Sequence, residues 1–156
     1  MTTTGWGVVQ SAGTKFSYVD SGKIHTYSKH RMGERLTTIF TELQAQIVRF
    51  KVTDCAVESG YVGRSQLSSL QLGQARAAAI LASERMGIPT ECIAPREAKM
   101  AITGRGSAAK EQVSYVVGKM LGIEFDKSEE DISDALAIAL CHLLRKSRAM
   151  TVTLAP

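Results

Sequence analysis

The spacing of apolar residues changes rhythm along this chain, and each change marks an element. Trp6-Gly7-Val8-Val9 is a compact apolar run, and "KFSYVDSGKIHT" alternates at Phe16 and Tyr18 with the period of two that lays one strand face on a core. Together they predict a strand from Trp6 to Gln10, a hairpin turn at Ser11-Ala12-Gly13 and a second, longer strand. After Gly33 the period lengthens. Leu36, Ile39, Phe40, Leu43 and Ile47 recur at helical spacing, so "ERLTTIFTELQAQIVRF" reads as an amphipathic helix.

"VTDCAVES" is a short, mostly apolar strand ending near Glu58, followed by the glycine-containing loop "GYVGRS". A long helix then runs from about Ser65 to Arg85. Its small residues Gly73, Ala75, Ala77, Ala78 and Ala79 admit a neighbouring element at close range, and Gly87 and Pro89 stop it. "TECIA" reads as a strand, and Pro95 opens a helix to about Thr103. After the loop Gly104-Arg105-Gly106, Ser107 is placed to cap a helix that Gly122 terminates after Leu121. A last helix starts near Glu130 and runs to about Lys146, leaving a short tail. A strand pair followed by alternating helix and strand predicts an α/β sandwich, a mixed sheet with helices packed on it. No internal repeat appears.

Composition narrows this only a little. At 156 residues, with 44% hydrophobic and 22% charged residues, the chain has the make-up of one ordinary globular domain. A formal charge of +4 permits a polyanionic partner without demanding one. Met1 leads into Thr and Gly rather than a basic and apolar leader, and Ala135–Leu144 is too short to span a membrane, so a cytoplasmic protein is expected. Cys55, Cys92 and Cys141 have no pattern, and packed, reduced thiols are expected of them.

Four constellations carry candidate chemistry. In "EEDISDALAIA", Asp131 and Asp134 are three residues apart at a helix start, so both carboxylates share a face. With a third carboxylate from a strand end they could hold a hard divalent cation; acidic residues in a first turn also simply complement the helix dipole. Glu58 supplies such a strand end, where open α/β sheets place ligands, though a solvated loop residue would look the same. Tyr61 lies between two glycines with Arg64 three residues on, a stacking platform beside a phosphate-binding cation, unless the ring folds back over the sheet edge.

The fourth is a basic stretch, Arg96, Lys99, Arg105, Lys110 and Lys119, which would suit nucleic-acid phosphates or form an ordinary solvated face. Residues 124–134 reverse its sign, and a basic surface with an acidic focus is what a metal-dependent nuclease needs. His25, His30 and His142 show no ligand spacing, and His142 is expected to be structural.

"AVESGYVGRS", "LQLGQARAAAILA", "APREAKMAITGRGSAAKEQV" and "DISDALAIALCH", in that order and with "TGWGVV" before them, resemble the RuvC family of Holliday-junction resolvases. The resemblance implies a ribonuclease-H-like mixed five-stranded sheet flanked by helices, here without its first, central strand. It implies a single nuclease domain over residues 1–156, truncated at its N-terminus, with a disordered tail over 149–156. It also implies a homodimer that nicks four-way DNA junctions symmetrically with Mg²⁺, two ions per subunit and Mn²⁺ as a substitute, in recombination and repair. A RuvA–RuvB branch-migration complex would be its partner.

Residue by residue, Glu58, Asp131 and Asp134 match three of the family's four acidic metal ligands, and Tyr61 its base-stacking aromatic. Lys99 and Lys110 match basic residues near the scissile phosphate, and Arg76 falls in the "LGQAR" helix of dimer packing and DNA contact. Arg64 and Arg105 are expected to join the DNA-binding surface. The family's Gly-Ile-Asp-Pro-Gly-like first strand, with the fourth carboxylate, is absent from this chain, and Asp20 does not replace it. The alternative is therefore a junction-binding protein without cleavage activity.

Overall fold

The structure is a computed structural model that describes residues 2–60 and 66–153, with side chains as far as residue 146. Tyr61 and Arg64 lie outside the described residues. Strand β1 (Thr3–Ala12) pairs antiparallel with β2 (Lys15–His25), with Thr3 opposite His25 and Ala12 opposite Lys15. β1 is longer than the expected Trp6–Gln10, β2 matches the expected run, and the turn sits at Gly13-Thr14 rather than Ser11–Gly13. Gly13 takes φ 63°, a left-handed conformation that a side chain would strain. The ladder shifts register between Val8 and Val9.

Helix α1 (Met32–Phe50) follows, then β3 (Cys55–Glu58), α2 (Gln66–Glu84) and β4 (Thr90–Ile93). β3 and β4 run parallel, Glu58 opposite Ile93, as a strand–helix–strand unit requires. Helices α3 (Pro95–Thr103), α4 (Lys110–Leu121) and α5 (Glu130–Thr153) complete the chain, α5 entered through a 3₁₀ turn at Lys127–Glu129. The four strands form two separate pairs, β1–β2 and β3–β4, and among the described residues no ladder joins them. The break divides the antiparallel pair from the parallel pair, where the family's first, central strand was expected to be missing.

Local chemistry explains most helix ends. Glu34 returns its carboxylate to the Arg31 backbone N–H and Glu97 to that of Ala94, both at 2.9 Å, satisfying donors before α1 and α3. Gly104 and Gly122 end α3 and α4 in the left-handed conformation. Ser107 does not cap α4; the helix starts at Lys110 with Ala109 before it and no side-chain cap. α5 continues to Thr153 instead of stopping near Lys146.

Helix α5 unites the molecule because its apolar residues cover more than one face. Ile132, Leu136, Ala137 and Leu140 pack with Val113, Val117 and Leu121 of α4, while Ile138 and Cys141 pack with Ile93 and Ala98. Its first turns lie directly on β1: a methyl group on Gly5 would overlap the Asp131 carbonyl, and one on Gly7 would lie 2.5 Å from a Leu136 methyl. Glycine is therefore required there for contact rather than for backbone freedom. A third cluster joins Ile24 and Ile39 with Ala75 and Ala78, the small residues of α2 that allow α1 to approach. Gly73 has open space around it and plays no such part. Cys141 is buried, Cys55 half-buried and Cys92 exposed, so the expectation of three packed thiols holds only in part.

Candidate active site

Glu58 is the last residue of β3, and Asp134 lies one turn into α5. The fold brings them together closely enough for their charges to interact. Partial desolvation raises the Glu58 carboxyl above its ordinary range, the Asp134 carboxylate raises it further, and Lys110 and Arg76 oppose the rise. Glu58 as a residue remains exposed. Lys110, the first residue of α4, places its ammonium 3.3 Å from Asp134 and 3.3 Å from Glu130. The field of Asp134, with Glu130 behind it, holds the ammonium above its usual range.

Arg76 reaches this site from α2. Its guanidinium fills the space beside Gly60, which at φ 60° has no side chain to obstruct it. Its Nε is buried and has no hydrogen-bond partner among the described residues. Asp131 shares a helix face with Asp134, but its main chain abuts Gly5 of β1. Among the described residues no three acidic, histidine or cysteine side chains converge closely enough to hold a metal ion. The repelling Glu58–Asp134 pair does fit a divalent cation, which would neutralise both with the oxygen ligands such ions prefer.

The other predicted residues are dispersed around this pair. Lys99 donates to the Ala108 carbonyl at 2.8 Å, fixing the loop between α3 and α4. Arg105 is exposed on that loop. His142 is structural, as expected: its Nδ1–H donates to Glu91 at 2.5 Å, and Arg145 bridges Glu91 at 2.5 Å and Glu97 at 3.2 Å. Lys146 pairs with Asp54, completing an ionic clasp between α5, β4, α3 and the approach to β3. Sequence reasoning missed Glu130 as a second partner of Lys110; its position four residues before Asp134 was the available signal.

A family profile described as "Crossover junction endodeoxyribonuclease RuvC" matches residues 1–142. The chain belongs to the RuvC family. The RuvC of Prosthecochloris aestuarii is 43% identical over 141 residues, spanning 90% of this chain and 75% of that protein. The RuvC of Pelobacter propionicus is 40% identical, over 90% of this chain and 79% of its own. The fold resembles Thermus thermophilus RuvC at a TM-score of 0.84 and 29% identity, covering 95% of this chain and 91% of that one. It also resembles T. thermophilus RuvC in complex with a Holliday junction substrate, at a TM-score of 0.85 and 26% identity, covering 96% and 97%. Membership of RuvC thus brings the ribonuclease-H-like fold to the two strand pairs and their helices.

Proposed function

We propose that this chain is a crossover junction endodeoxyribonuclease that nicks four-way DNA junctions symmetrically, as a homodimer, during recombination and repair. The observation that carries the reading is the convergence of Glu58 and Asp134, with Lys110 and Arg76 beside them, in a RuvC-family chain. Glu58 and Asp134 would hold a divalent cation, Mg²⁺ with Mn²⁺ able to replace it, and Asp131 would add its carboxylate from the same face of α5. When bound, such a cation would supply activation of water and stabilisation of a leaving 3′ oxygen.

The side chains have separate tasks. Lys110 balances the carboxylates before DNA arrives and turns to the scissile phosphate when it does, stabilising the charge that develops there. Arg76 holds the turn after Glu58 and adds positive charge along the approach. Lys99 braces the loop that carries Arg105 towards the phosphates. Tyr61 stacks on bases near the junction centre, with Arg64 on the adjoining phosphate. Two copies related by a twofold axis would match the symmetry of the junction, one strand cut by each. A RuvA–RuvB complex is the proposed partner in branch migration.

The test is incubation of the purified chain with a labelled four-way junction and Mg²⁺. Paired nicks abolished by Asp134→Asn would support the reading, and an absence of nicks would oppose it. Binding without nicks would favour a junction-binding protein without cleavage activity, a reading supported by the lack of three converging ligands among the described residues.

A further inference from the structure

We propose that the loop between β2 and α1, Tyr27 to Arg31, is a second DNA contact that grips the phosphates of a duplex arm outside the cleavage site. The inference rests on the junction-binding reading above. It begins with an unusual surface. All five residues are exposed, and Tyr27 leaves 60% of its area in water. The His30 ring meets the Tyr27 ring edge-on at 5.4 Å, and the Lys29 ammonium lies 5.7 Å from the centre of the same ring. The His30 N–H donates to the Tyr27 carbonyl at 3.1 Å, so the turn is already closed.

The charge is available. Among the described residues Lys29 forms no ion pair, while Arg31 is held by Glu34 at 2.8 Å and is oriented rather than free. A lysine and a tyrosine hydroxyl presented from a closed turn, with a guanidinium beside them, offer three kinds of phosphate donor. The Lys29 ammonium and the His30 ring already engage the Tyr27 ring, so its hydroxyl is the group presented to a sugar–phosphate backbone. Such donors suit the backbone of a duplex arm, which a four-way junction supplies.

Position connects the loop to the site. Lys23 of β2 lies opposite Gly5, whose backbone touches Asp131, and the Lys23 ammonium donates to the Ser128 carbonyl before α5. His25, two residues further along the strand, is about 7 Å beyond that point, and the loop leaves the same open end of the hairpin. On the other side, Thr26 lines a small crevice with Arg35, Gln71 and Ala75. The next residue is Arg76, which reaches Gly60 and influences Glu58. The loop thus leaves the hairpin end that packs against α2, the helix that carries Arg76.

Anisotropy titration of a fluorescent four-way junction in EDTA, at several salt concentrations, tests this. The proteins are the wild type, Lys29→Ala, Lys29→Glu and the double variant Tyr27→Ala with Lys29→Ala; Arg31 is left intact because it orders the start of α1. Unaltered melting temperatures would verify folding. The double variant should bind about tenfold more weakly, and each variant losing one phosphate contact should lower the slope of log K against log salt by about one. Lys29→Glu should be weaker than Lys29→Ala. Equal affinity and slope in a wild type and variants that all bind would overturn the loop's role. Weaker binding with an unchanged slope would overturn the phosphate assignment. Failure of the wild type to bind would instead overturn the junction reading on which the inference rests.

Discussion

The Lys110 ammonium stands 3.3 Å from the Asp134 carboxylate, joining the first residue of α4 to the second turn of α5. Together with Arg76, this contact brings positive charge to an anionic corner. Lys110→Ala is expected to reduce junction nicking by about 10²-fold or more, the usual effect of losing a group that stabilises developing charge. Junction binding should change far less. Single-turnover rates beside a binding titration would separate the two effects, and equal losses in both would deny Lys110 a role in the chemical step.

Contact between β1 and α5 predicts a sharp difference among glycines. Gly5→Ala would push a methyl group into the Asp131 main chain, which cannot yield like a flexible side-chain end. A loss of about 1–3 kcal/mol is expected from overpacking. Gly33→Ala in α1 meets open space and has no positive φ, so it should be neutral or slightly stabilising, by up to about 1 kcal/mol. Urea melts of both variants would measure the contrast.

Leu136 is completely buried between α4 and α5 and also meets Gly7 of β1. Leu136→Ala should cost about 2–5 kcal/mol, through lost burial and the cavity left behind. Thermal or denaturant unfolding would reveal it. A cost below about 1 kcal/mol would mean that the surrounding helices close over the gap.

The ionic clasp predicts acid sensitivity. Partial burial alone would raise the Glu91 carboxyl, but hydrogen bonds from His142 and Arg145 outweigh it and hold Glu91 below its ordinary range. Lys146 does the same for Asp54. A carboxyl lowered by folding contributes stability above its unfolded value, about 4 for Asp and Glu, and loses it as pH falls through the lowered native value. Wild-type protein should therefore lose stability between about pH 5 and pH 3 more steeply than Glu91→Gln. Parallel stability curves across that window would exclude Glu91 as a source.

Periodicity and punctuation made much of this fold legible. Pro95 and Gly104 bracket α3, and the helical recurrence of Leu36, Ile39 and Ile47 foretold the buried side of α1. Local patterns failed where distant partners decide the outcome. Ser107 has the chemistry of a cap, yet α4 starts three residues later, and α5 passes Lys146, whose ammonium pairs with Asp54. His142 and Glu91 are 51 residues apart, and no spacing rule connects them. At the site, Glu58, Asp134 and Lys110 could be chosen from the sequence, but the pairing of Lys110 with Asp134 and Glu130 needed the packing of α4 on α5.

Helix α5 works as a gauge bar. Asp134 projects near one end and His142 lies eight residues further on, a span of about 12 Å of continuous helix. The far end is moored to β4 through Glu91, while the near end decides how far Asp134 sits from Glu58 on the adjoining strand. The ion pairs around His142 therefore calibrate a distance at which they are not present. Slackening that mooring would detune the carboxylate pair while leaving Lys110 and Arg76 chemically intact.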